Sequence, residues 1–356
     1  MLTRRVFLTA TTATLAMPFI HSNALASEVI DIQIGSSHPV NNIWAHAMQA
    51  ALQPEVDRIL AEAGGKYSIR WHENYGGTLY KFTDTLAAVR DGIVDIGMVG
   101  TLWEGSAMPL QNVTYFTPFA NSDHNVVIEI FDELTEILPE LKNSWSDNNM
   151  VHLSSLITDS YDIYANFPIT KVADVKNRRL SAPGTSANWL AGTDCTPVDG
   201  ALTTYYTDIQ TGVSEGTLSF ASGVQPTRVY EVAPHLARVG FGSMYFGGIA
   251  ANKTFFDNLP EDVAQAIKEA GRITSRKHGD YVTERTDAAL KEMQDAGLKI
   301  YEFSPEERAE WAATLPNIAK PWLEANGEDA ATVLKAYFKA LQSRGIKPAR
   351  DWTAGI

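Results

Sequence analysis

The chain has 356 residues, of which 29 are Lys or Arg and 42 are Asp or Glu, a formal charge of −13 with neutral histidines. That acidic balance excludes a nucleic-acid partner, because phosphate neutralisation needs clustered cations, and a chain this long predicts more than one hydrophobic core. The sole cysteine, Cys195, excludes an internal disulfide framework.

The first 26 residues read as an export signal. Arg4 and Arg5, followed by Phe7 and Leu8, precede a weakly apolar run to Ile20 and an Ala24-Leu25-Ala26 cleavage site. The twin arginine favours the Tat route. Residues 1–26 are therefore assigned as a Tat-type signal peptide cleaved after Ala26, which leaves 27 basic against 42 acidic residues. No later segment approaches the roughly 20 apolar residues of a membrane span. The mature chain is expected to be soluble, without membrane insertion, and to work in the bacterial periplasm.

Residues 29–35 alternate apolar and polar side chains and predict a strand, which runs into a loop bearing His38 and Pro39. From Trp44 the positions Ala47, Met48, Ala51, Leu52, Val56, Ile59 and Leu60 recur at helical spacing until Gly64-Gly65. Residues 67–72, 84–91 and 95–99 continue as strand, helix and short buried strand, with a Gly76-Gly77 loop between. Ligands of open α/β sheets bind beyond strand ends, which makes the loops of His38, Glu73 and Trp103 candidates. A second α/β block spans about 151–246, with strands expected at 151–158, 161–166, 179–182 and 218–220. After Pro260 no proline occurs until Pro305, and Val263, Ile267, Ile273, Val282, Leu290 and Met293 are spread along a helix of unusual length, ending near 296. Such a helix suits bracing two lobes. Ser304-Pro305-Glu306-Glu307 carries an N-cap, a proline at the first helical position and a capping box. A helical tail follows with Trp311, Ile318, Trp322 and Val333 as packing residues.

The mature histidines, at 38, 46, 72, 124, 152, 235 and 278, form no metal-binding pair of helical spacing, and no cysteine cluster completes a zinc site. There is no G-x-S-x-G elbow, P-loop or G-x-G-x-x-G fingerprint. Neither an enzyme nor a metal or cofactor protein is predicted.

From residue 32 to about 270 the chain resembles the DctP-type solute-binding proteins of TRAP transporters. The segments carrying this are GSSHP at 35–39, LAAVRDGIVDIG at 86–97, Pro118-Phe119, NFPITKVADVKNRRLSAPG at 166–184, YTDIQTGVSEG at 206–216 and LPEDVAQAIKEA at 259–270. The resemblance implies a two-lobed α/β Venus-flytrap fold with a long inter-lobe helix, closing on one small solute. On it, lobe I takes residues 27–157 and 246–284, and lobe II takes 158–245 and 285–356 with the C-terminal helices. The shut form would dock on an ion-gradient-driven TRAP permease in the membrane, or alternatively on a sensor kinase.

Typical relatives hold a carboxylate on an arginine of the motif K-I-R-V-P-G, whose planar fork matches two oxygens. The corresponding run here is Arg179-Leu180-Ser181-Ala182-Pro183-Gly184, so Ser181 stands where the arginine is expected. A second family arginine falls at Tyr161, and a helper asparagine falls at Ser219. The resemblance therefore places the cleft at Ser181, Tyr161, Trp189, Ser219, Trp103, Glu73 and His38, with Arg179 and Phe241 as further candidates. Trp44, Trp71 and Tyr205 read as core packing, and Glu104, Asp159 and Asp162 as solvated surface. Hydroxyls in place of cations suit an amine or a neutral hydroxylated solute, held against aromatic faces. The alternative is an organic acid held by Arg179, which shares a strand face with Ser181 about 6 to 7 Å away.

Overall fold

The computed structural model describes residues 27–354, so the signal-peptide assignment lies outside the described residues. Two sheets form the two layers of strands. The first contains β1 (Glu28–Gly35), β2 (Tyr67–Asn74), β3 (Ile96–Gly100), β4 (Met150–Ile157) and β10 (Tyr245–Asn252), in the order β2-β1-β3-β10-β4. The second contains β5 (Tyr161–Ala165), β6 (Arg179–Ser181), β7 (Thr196–Val198), β8 (Gly216–Ser219), β9 (His235–Gly242) and β11 (Lys299–Glu302), in the order β11-β9-β5-β8-β6-β7. The expected two-lobed α/β architecture is the observed one.

β1 pairs in parallel with β2 and β3, whereas β10 runs antiparallel to β3 and β4. β3, β5 and β10 are buried along their whole length, as the continuous apolar character of central strands requires. β9 and β10 went unpredicted because Gly240, Gly242, Gly247 and Gly248 punctuate them like turns.

The helix expected from Trp44 begins at Ile43, where the Asn42 side chain caps Trp44 N at 2.9 Å. It is not uniform. An α-turn (Ile43–His46) passes into a π-helical stretch (Ala47–Leu52) and returns to α-helix at Gln53–Glu62. Pro54 lacks the N–H that would bond back to residue 50, and Gln53 N reaches five residues back to Met48 O.

Two segments cross between the sheets. Thr158 to Ser160 joins β4 to β5, and Ser243-Met244 joins β9 to β10. They are laced together, with Thr158 N donating to Met244 O at 3.0 Å and Ser243 Oγ to Thr158 O at 2.6 Å. Gly242, at φ 117°, brings this crossing against Asn121, whose carbonyl accepts from Ser243 N at 2.9 Å.

The third link is the helix Glu261–Asp295, 35 residues and so about 52 Å long. Its first half lies on the first sheet, where Ser275 Oγ accepts from Ser155 N at 2.9 Å and meets Asp132 Oδ1 at 3.1 Å. Its second half reaches the short helix Ala221–Val224 of the other lobe, where Arg285 donates to Gln225 Oε1 at 2.9 Å. Gly271 permits the close approach, because a Cβ there would overlap the carbonyl oxygen of Leu153. Gly271→Ala should therefore destabilise the protein by about 3 kcal/mol through overpacking, measured as a lower urea midpoint at unchanged m-value.

The C-terminal part divides differently from the expected boundary. β11 joins the second sheet beside β9, and the helix Pro305–Thr314 carries Trp311 onto the backbone of Trp189, at 3.2 Å. The last helix, Ala319–Ser343, returns to the first lobe. Trp322 donates to Pro109 O at 2.9 Å and stacks on Phe116, and Arg344 binds Glu133 at 3.1 Å. The helix Ala319–Ser343 therefore packs on lobe I, where its apolar side is covered, while Arg350 beyond it donates to Ala312 O at 2.7 Å and Leu315 O at 2.6 Å.

Candidate functional site

The ends of the strands of both sheets face one cavity between the lobes. Lobe I contributes His38 from the loop after β1, Trp44 from the adjoining helix, Leu102 and Trp103 from the turn after β3, and Phe246 of β10. Lobe II contributes Tyr161 at the start of β5, Pro183 after β6, Ala201, Leu202 and Tyr205, then Ser219 and Phe220 at the end of β8. The lobes are drawn together here, leaving room for about one water molecule.

Local sequence explains the placement. The loop after β1 is pinned by Ser36 N to Asn74 O and by Gly76 N to His38 O, both 3.0 Å. His38 Nδ1 then lies 3.0 Å from Ser37 Oγ, and its ring packs edge-on to Trp44 and nearly parallel to Trp103. Burial pushes His38 down to about 4, so the imidazole is neutral at ordinary pH. Trp44 stacks on Phe246 with centroids 3.5 Å apart and donates through Nε1 to Ile157 O at 2.9 Å. Trp103 packs across Gly100 and meets Phe246 edge to face. Tyr161 lies edge-on to Phe220 at 5.2 Å.

Two properties define the chemistry. The lining contains no Asp, Glu, Lys or Arg. Three of its buried polar atoms, His38 Nε2, Trp103 Nε1 and Ser219 Oγ, have no hydrogen-bond partner. Buried polar groups are nearly always paired, so three orphans around one cavity leave bonding capacity there that the protein itself does not use.

Of the residues singled out from the sequence, the structure brings His38, Trp103, Tyr161 and Ser219 together and leaves the other five outside the cavity. Ser181 is fully buried and bonds Ser214 Oγ at 2.9 Å. Trp189 is a second layer behind Tyr161, stacked between Tyr115 and Phe241 and bonded to Tyr115 O at 2.7 Å. Phe241 lies in that same layer. Glu73 is exposed and accepts from Gln49 at 3.1 Å and Gln53 at 3.0 Å. Arg179 is exposed at the outer end of the three-residue strand β6 and donates to Gly212 O at 2.9 Å, so sharing a face with Ser181 does not carry it inward.

Trp44 and Tyr205, read as core packing, belong to the core and line the cavity as well, as do Phe220 and Phe246. The signal for them was position at a strand or helix end, which periodicity alone does not separate from core.

Asp159 and Asp162 are buried, not solvated. Burial pushes Asp162 up to about 7, against the bond from Gly240 N at 2.7 Å and the nearby Arg238. A carboxyl raised in the folded state contributes stability that is full below its unfolded pKa and is lost as pH rises through about 7. Between pH 5.5 and 8.5 that loss should be about 2 kcal/mol. Asp162→Asn should remove this component, seen as a flatter dependence of urea stability on pH.

Among the described residues no group of three His, Cys, Asp or Glu is placed to hold a metal ion, and no helix is long and apolar enough to cross a membrane.

Two α/β lobes joined by paired crossings and one long helix, with orphaned polar atoms at facing strand ends, define a two-lobed solute receptor. Residues 35–325 match the model of the bacterial extracellular solute-binding protein family 7, DctP, and the chain belongs to that family. It is 21% identical over 277 residues to the ectoine-binding periplasmic protein TeaA of Halomonas elongata, covering 75% of this chain and 80% of that one. Its fold is similar to that of DctP7 of Bordetella pertussis, an extracytoplasmic solute receptor binding pyroglutamic acid, with a TM-score of 0.75, 21% identity, and 86% and 99% of the two chains covered. A TRAP periplasmic solute-binding protein from Sulfitobacter sp. NAS-14.1, with bound β-D-galacturonate, matches at a TM-score of 0.75 and 20% identity, covering 87% and 100%. The chain is thus a bacterial extracellular solute-binding protein of the DctP family.

Proposed function

We propose that this receptor captures a compact organic solute without net negative charge, an amine, a zwitterion or a neutral hydroxylated compound, and delivers it to a TRAP permease after export through the Tat route. The observation that supports this reading is the uncharged, aromatic lining with its three unpartnered polar atoms. An indole N–H can only donate, so the solute must offer Trp103 an acceptor oxygen. Ser219 and His38 supply the remaining bonds. An ammonium group would find ring faces on several sides, each contact worth about 0.5 to 2 kcal/mol. A simple carboxylate would give up its water for a cavity without a cation, at a cost of several kcal/mol. The ligands named for relatives include both ectoine and organic acids, and the lack of a cation here argues against the acids.

His38 and Trp103 come from one lobe, Tyr161 and Ser219 from the other. A solute bridging them would stabilise the shut form over the open one, which is what a permease can read.

The test is a thermal-shift screen of residues 27–356 against matched panels of amines, zwitterions, polyols and carboxylates. A ligand at about 100 times its Kd adds about 2.7 kcal/mol, a clear shift. Hits are expected in the first three panels and should be unchanged by Arg179→Ala. Tight, selective binding of simple carboxylates would overturn the reading.

A further inference from the structure

The two walls of the solute cavity meet at its edge through a glycine. Leu102 lies in the turn Thr101–Trp103 of lobe I, and Gly184 opens the 3₁₀ stretch Gly184–Leu190 of lobe II, directly after the lining residue Pro183. Gly184 is exposed and sits at φ 50°. A Cβ there would stand 2.7 Å from the carbonyl oxygen of Leu102 and 3.2 Å from its Cδ1. Left-handed backbone does not by itself account for this contact, since Gly212, at φ 76°, has open space where its Cβ would be.

Both sides of the contact are tied to their own lobes. In lobe I, Gly100 N donates to Thr85 Oγ1 at 3.2 Å, Thr101 Oγ1 to Phe246 O at 3.1 Å and Asn112 Nδ2 to Thr101 O at 2.9 Å. In lobe II, Ala182 N donates to Val198 O at 2.8 Å, and Pro183 O accepts from Ser186 Oγ at 2.7 Å and Ser186 N at 3.1 Å. A side chain at position 184 would therefore meet held backbone, and the lobes themselves would have to part.

We infer that Gly184 is the stop that sets how far the lobes close: its bare backbone lets lobe II come down on the Leu102 carbonyl, and any side chain there props the cavity open. It is a positioning residue, for it does not itself line the cavity. The inference rests on the reading that the shut form holds the solute, and it holds for a solute of any charge. A wedge that acts only in the shut form raises that form over the open one, and weakens solute binding by the corresponding factor.

The probe is the strongest compound of the thermal-shift screen, whichever panel supplies it. Gly184→Ala should weaken its binding about five- to hundredfold, the range that overpacking typically costs, and Gly184→Asn at least as much. Gly212→Ala, the same backbone change in open space, should leave it unchanged. The order of the two replacements separates a wedge from backbone strain. Asn adopts the left-handed conformation more readily than Ala, so strain alone makes Asn the milder change, as it should be in the urea midpoint of the free protein. Nitroxide labels on cysteines replacing the exposed Thr83 and Thr207, in Cys195→Ser protein, report the distance between the lobes by pulsed electron resonance. With the probe, the parent and Gly212→Ala should show one short distance, and both Gly184 variants a longer one. The same pattern with a carboxylate probe would overturn the reading of an uncharged solute and uphold this one. Parental affinity in Gly184→Ala, a milder loss with Asn than with Ala, or parental labels that never draw together, alone or with any compound of the panels, would each overturn the inference.

Discussion

Trp103→Ala should lower solute affinity by two to three orders of magnitude, and Trp103→Phe by about tenfold, measured by calorimetry with the strongest compound from the screen. The two substitutions separate two contributions of one side chain. Phenylalanine keeps an aromatic face beside His38 and Phe246 but removes the N–H that has no partner within the protein. A net hydrogen bond contributes about 0.5 to 1.5 kcal/mol, which sets the tenfold scale. Alanine also removes the wall, and buried aromatic anchors in binding sites commonly account for about 2 to 4 kcal/mol. If Trp103→Phe binds as well as the wild type, the solute does not accept from the indole, and the demand for an acceptor oxygen is withdrawn.

Much of the scaffold was legible because its signals are local. The capping box at Ser304 is realised in both directions, with Ser304 Oγ accepting from Glu307 N at 3.2 Å and Glu307 accepting from Ser304 N at 2.7 Å. The long helix starts after Pro260 and ends beside Gly297, as breakers at each end dictate. Less of the cavity was legible. Arg179 and Ser181 share a strand face, but alternation does not say that β6 stops after three residues with Arg179 at its solvent end. Glu73 sits at the edge of the first sheet, where glutamines 49 and 53 occupy both its oxygens. Asp159 and Asp162 look like surface acids in a list of charges, but Asp159 is buried on the crossing between the lobes and Asp162 within β5 against β9. Trp44 is ambiguous for a different reason, since it is at once core, through its stack on Phe246, and lining.

Asp159→Ala should cost about 3 to 5 kcal/mol of stability and also weaken solute binding, although Asp159 does not line the cavity. Its carboxylate sits on the crossing between β4 and β5 and accepts from Ala221 N at 2.8 Å, Ser222 N at 3.4 Å and Ser222 Oγ at 2.5 Å. Those donors follow directly after Ser219 and Phe220, so the acid fixes the end of β8 against the hinge. Removing it leaves three donors unpaired in a site closed to water, each costing about 1 to 3 kcal/mol before relaxation. Burial pushes Asp159 up to about 6 in spite of these bonds, so its contribution is full below the unfolded carboxyl pKa and declines as pH rises through about 6. The stability loss of Asp159→Ala should accordingly be larger at pH 5 than at pH 8. Asp162→Asn supplies the comparison, because Asp162 is also buried and three residues away, but bonds Gly240 N of β9 instead of the cavity's edge. Solute affinity should fall in Asp159→Ala and stay unchanged in Asp162→Asn. Equal losses of affinity in both would mean that binding follows overall stability, and that Asp159 does not position Ser219 and Phe220 for the solute.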